Sequence, residues 1–163
     1  MALDWLVSRL SQAAAPDTNR RNQRIDAEVQ MIAARFSQPP YQGIYYDEVN
    51  RDWLVIPNYP LPARFRDRRC DLLIVFPETY PETPPIGFYL NKQFQLRGNR
   101  QDPHATGRAY YDAPDLLDQG WYWYCVRMDM SAPGAWQPQP DHRKPDNLWA
   151  YLNMVREALT NDF

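Results

Sequence analysis

The side chains able to do nucleophilic chemistry in this chain are few: two cysteines, Cys70 and Cys125, and two histidines, His104 and His142. Cys125 closes the aromatic string Trp121-Tyr122-Trp123-Tyr124, whereas Cys70 sits in the alternating apolar run Arg69 to Phe76. A thiol of ordinary pKa, about 8.5, is a few per cent thiolate near neutrality, so it can attack an acyl group without a histidine base. The thioester so formed stays reactive toward amines. Unreactive cysteine is also among the most buried residue types, and Cys70, packed by its strand neighbours, is read as structural. The four aromatic residues would wall Cys125, or simply pack the core. Asp129, four residues on, could influence an incoming amine, and a solvated loop carboxylate is the competing reading. His104 and His142 read as surface loop residues; a thiol hydrolase pairing Cys125 with either is a third, lower-ranked possibility. No cysteine–histidine pair has the close spacing of a zinc site, so neither a metal nor a cofactor is expected.

Several elements must position these groups. Leu3, Leu6, Val7 and Leu10 share one face of an extra N-terminal helix over Ala2 to Ala15, with Trp5 near the stripe, and Pro16 separates this unit (1–16) from the domain (17–163). The next helix, about Asn19 to Phe36, aligns Ile25, Val29, Ile32 and Phe36 and carries Arg20, Arg21, Arg24 and Arg35 on its other faces. Gly43 to Tyr46 and Trp53 to Ile56 read as a hairpin around Asp47 to Arg51, and Pro57, Pro60 and Pro62 are expected to break the chain. In the strand Arg69 to Phe76, Cys70, Leu72, Ile74 and Phe76 share one face and Leu73 and Val75 the other. That pattern predicts an inner strand covered on its far side by a helix. Ile86 to Leu90 is a short strand. Asn91 to Gln119 reads as a long irregular loop, a length that is usually functional in a compact domain. A last helix, Asn147 to Thr160, takes Asp146 as its expected N-cap. The class is α+β: N-terminal helices, an antiparallel strand meander, a long active-site loop and a C-terminal helix.

At 163 residues, 44% hydrophobic and 14% aromatic, the chain is long and apolar enough for one folded domain. A net charge of -2 offers no electrostatic reason to expect nucleic acid or an anionic membrane as partner. No apolar stretch approaches the roughly 20 residues that span a bilayer, and the N-terminus lacks the form of a secretion signal, so a cytoplasmic protein is expected. Lys92 and Lys144 are the only lysines among 18 basic residues. Genomic base composition accounts for this, although a carrier of an amine-reactive thioester would also gain from having few amines of its own.

The run Phe76 to Pro85, FPETYPETPP, cannot continue a sheet, because its prolines lack ladder donors and fix their own backbone angles. By itself it reads as a rigid connection pinned by the Tyr80 ring. Its place in the chain says more. A helix, a strand meander, Tyr80-Pro81-Glu82-Thr83-Pro84-Pro85, Cys125, Trp136-Gln137-Pro138 and a final helix follow one another in order, and in this order the sequence resembles the ubiquitin-conjugating superfamily over about residues 19–160. It is most similar to the prokaryotic branch. The resemblance implies a ubiquitin-conjugating-like fold in which Cys125 accepts a ubiquitin-like modifier from an activating enzyme as a thioester and passes it to an amine on a target protein. It also implies a bacterial antiphage-defence setting, and docking of the activating enzyme on the first domain helix through Arg20, Arg21 and Arg24. Two features depart from the superfamily pattern. His-Pro-Asn does not precede Cys125, the nearest segment being Asn99 to His104 (NRQDPH), and the two terminal helices of many eukaryotic members have no counterpart before Phe163. The alternative is a noncatalytic interaction module on the same scaffold.

Overall fold

Ile25, Val29, Ile32 and Phe36 form a continuous buried stripe on the first helix, α1 (Thr18–Phe36), which supplies one wall of the main core. The computed structural model describes residues 18–92, 95–98, 100–101, 105–109, 112–126 and 135–161. The expected N-terminal helix, Asp129 and His104 therefore lie outside the described residues.

Strands β1 (Tyr45–Tyr46), β2 (Trp53–Pro60), β3 (Arg69–Val75) and β4 (Gly87–Leu90) follow, each antiparallel to the one before. The sheet does not stop there. A short pair, β5 (Gln95–Leu96) and β6 (Arg100–Gln101), leads to β7 (Ala105–Gly107), a single 3-10 turn at Leu117–Gln119 and β8 (Tyr122–Cys125). Strand β8 pairs with β4, and β7 with β8, so the six-stranded order is β1-β2-β3-β4-β8-β7. The chain closes on helix α2 (Leu148–Thr160).

Side-chain alternation sorts the sheet into two faces. Leu54, Ile56, Cys70, Leu72, Ile74, Phe88, Leu90 and Tyr124 point toward the helices and merge with Leu148, Tyr151, Leu152, Val155 and Leu159 of α2. Val55, Leu73, Tyr89 and Trp123 point the other way and are covered by Leu116 and Trp121. The far side of β3 thus lies under Ala109, Ala113, Leu116 and Trp121 and not under an α-helix. Two further expectations change. Strand β2 runs on through Pro57 to Pro60, because a bulge between Ile56 and Tyr59, with Asn58 at φ 56°, places the missing donor of Pro57 where the ladder is interrupted. The cap of α2 is Asn147, whose side chain accepts the Ala150 amide at 2.9 Å; Asp146 instead accepts the Gln137 amide at 2.9 Å.

Candidate functional site

The two thiols have opposite surroundings. Cys70 is 4% exposed on the helix-facing side of β3, and burial, with Asp71 next in weight, pushes its pKa far up, away from thiolate. Cys125 is half-buried at the end of β8, where it packs against the outer aromatic cluster. Its position is set by register: Cys125 faces Gly87 and Trp123 faces Tyr89 across the β4–β8 pair. Tyr89 is pinned in turn, donating its hydroxyl to the Pro114 carbonyl at 2.6 Å. The aromatic string is therefore a strand. Trp123 and Tyr124 go to opposite faces of the sheet, and Trp121 joins Trp123 on the face of Cys125.

The proline run and the Trp-x-Pro element meet in space. The Trp136 indole donates to the Pro81 carbonyl at 2.6 Å, and Pro84 and Pro85 are buried. Tyr80 is 1% exposed and donates its hydroxyl to Glu28, a fully buried carboxylate on α1. Burial, reinforced by Glu28, raises the Tyr80 pKa well above its ordinary value. The same Glu28 oxygen accepts the Leu148 amide at 3.0 Å, and Arg24 donates Nε to the other oxygen. Leu148 is the first residue of α2, so Glu28 places negative charge at the positive end of that helix. One acid thus ties α1, the proline run and α2 together. Sequence reading missed it, although the spacing from Arg24 to Glu28 was a legible i,i+4 pair.

Of the three arginines expected to dock a partner, Arg20 alone is fully at the surface. Arg21 is 7% exposed and donates to the carbonyls of Pro77 (3.0 Å), Phe76 (3.2 Å) and Asn50 (3.2 Å) and to Asp52 (3.4 Å). It locks α1 onto the hairpin turn and the start of the proline run. Arg24 is half-buried and also reaches the Gln139 carbonyl. Arg20 and Arg24, with Glu78, Pro81, Pro138 and His142, line an open groove of about 760 Å³ between α1, the proline run and the segment after Trp136. His142 belongs to this groove. Its backbone carbonyl accepts the Asn147 side chain at 2.8 Å. Among the described residues no His/Cys/Asp/Glu cluster could hold a metal ion, and no helix is long and apolar enough to cross a membrane.

A family model described as Prokaryotic E2 family E matches residues 40–162, most of the chain. No curated protein and no solved structure matches.

Proposed function

The chain belongs to prokaryotic E2 family E, a ubiquitin-conjugating-like family with a general role in ubiquitin-like conjugation, and from that premise we propose that it carries a ubiquitin-like modifier as a thioester on Cys125. The Cys125 thiolate attacks the carbonyl of the thioester held by the activating enzyme. A new carbon–sulfur bond forms, and the activating enzyme's cysteine leaves as thiolate. A target amine then attacks the Cys125 thioester, the amide forms, the Cys125 sulfur departs, and the amine proton passes to the departing sulfur or to solvent. The observation that carries this reading is the contrast between the thiols: Cys70 is buried with its pKa driven up, while Cys125 stands half-exposed at a strand end. Proximity of docked partners supplies much of the acceleration. Arg20 and Arg24 at the groove are the docking contacts for the activating enzyme. The pathway is a bacterial antiphage-defence conjugation system acting in the cytoplasm.

The test combines the protein with its modifier, its activating enzyme and ATP, followed by electrophoresis with and without reducing agent. A thiol-sensitive adduct is expected in wild type and in Cys70→Ala, and none in Cys125→Ala. An adduct that survives Cys125→Ala refutes the site. The second reading, a noncatalytic module, is favoured by the missing His-Pro-Asn; it predicts no adduct in any variant, with binding of the modifier retained.

A further inference from the structure

Gly87 lies directly across the β4–β8 pair from Cys125. It has no side chain where a side chain would have no room. A Cβ at that position would come within 2.5 Å of Trp123 Nε1 and 2.6 Å of Trp123 Cε2, and would also strike the Tyr124 carbonyl. These approaches are closer than real Cβ contacts tolerate, and one of the struck atoms is backbone of the very strand that carries the thiol. The Trp123 indole, 1% exposed, therefore fills the space that Gly87 leaves open. The outer face of the sheet places Trp123 and Cys125 two residues apart on the same side, so this indole packs beside the sulfur's own position.

We propose that Gly87 is a positioning residue for the Cys125 thiol: by admitting the indole and the β8 backbone, it holds the end of β8 against β4 and fixes the half-buried setting of the sulfur. The inference rests on the reading of Cys125 as the reactive thiol, but its test needs no modifier. In Gly87→Ala the end of β8 is pushed off β4 and Cys125 becomes more accessible, while the helix-facing core around Cys70 stays closed.

The experiment measures iodoacetamide alkylation of each cysteine by mass spectrometry over pH 6–9 in the full chain. The expected result for Gly87→Ala is a Cys125 rate at least fivefold above wild type across that range, with Cys70 still protected. Gly98→Ala is the control. Gly98 sits at φ 86° in open space, with nothing within 4 Å of where a Cβ would stand, so that change strains a turn without a collision, and Cys125 should react as in wild type. Should Gly87→Ala not fold, Trp123→Phe, which trims the ring that braces the site, decides by the same readout. Cys125 rates within twofold of wild type, or Cys70 rising in parallel with Cys125, overturn the proposal. A failed adduct assay with the predicted alkylation pattern would reject the carrier reading and leave the positioning role standing.

Discussion

Asp52 carries a clear electrostatic cost in the fold. Burial pushes its carboxyl up to about 6, with Arg21 pulling the other way and Asp47 adding to the rise. Burial likewise holds the Arg21 guanidinium below its ordinary value. Both shifts have the sign expected when loss of hydration outweighs an attraction across 3.4 Å, and Asp52 Oδ2 is buried with no hydrogen-bond partner. The folded pKa lies above the unfolded one, so the native state holds the proton more tightly. The contribution of Asp52 to stability is full below about pH 4 and is lost as pH rises through about 6. Unfolding free energies from urea titrations of wild type and Asp52→Asn between pH 4 and 7 should diverge in favour of the variant, by on the order of 1–2 kcal/mol at the upper end. A difference that stays flat with pH would contradict this. At this scale the burial of Cys70 was legible, because the strict alternation around it is a local pattern. The burial of Arg21 was not legible: its partners Asn50, Asp52, Phe76 and Pro77 lie far along the chain.

The elements are joined by Glu28 more than by any local signal. Tyr80→Phe removes one donor from a carboxylate that no water reaches, and should cost about 1–3 kcal/mol in urea unfolding. Glu28→Ala strips the partner from Tyr80, from Arg24 and from the first amide of α2, and should cost about 3–5 kcal/mol. The double variant should be no worse than Glu28→Ala alone, since the two groups share one interaction; additive costs would show that the bond contributes nothing to stability. The elements legible in the sequence were the long periodic ones, α1, β3 and α2, together with the β1–β2 hairpin and the short strand β4. The stretch Asn91 to Gln119 and the aromatic string were not. There β7 and β8 are three and four residues long, too short for a period; β8 forms on the edge that β4 offers, and β7 on the edge that β8 then offers.

Across the whole molecule, the groove between α1, the proline run and the segment after Trp136 is where a partner would meet three elements at once. Arg20→Glu should slow adduct formation with the activating enzyme by about tenfold or more, the equivalent of roughly 1.4 kcal/mol, while leaving thermal stability within a degree or two, because the side chain is exposed. An unchanged rate would move the docking surface elsewhere. What the sequence by itself determined is the order of parts: the apolar stripes of the helices, the Tyr80-to-Pro85 motif, the aromatic approach to Cys125 and the Trp136 element, all carried by local spacing. Only the tertiary structure decided how they meet. Trp136 reaches Pro81 across 55 residues and Glu28 reaches Leu148 across 120, contacts with no period to announce them. The same holds at the thiol, where Gly87 and Cys125 become neighbours because two short strands pair and a missing side chain makes room for an indole.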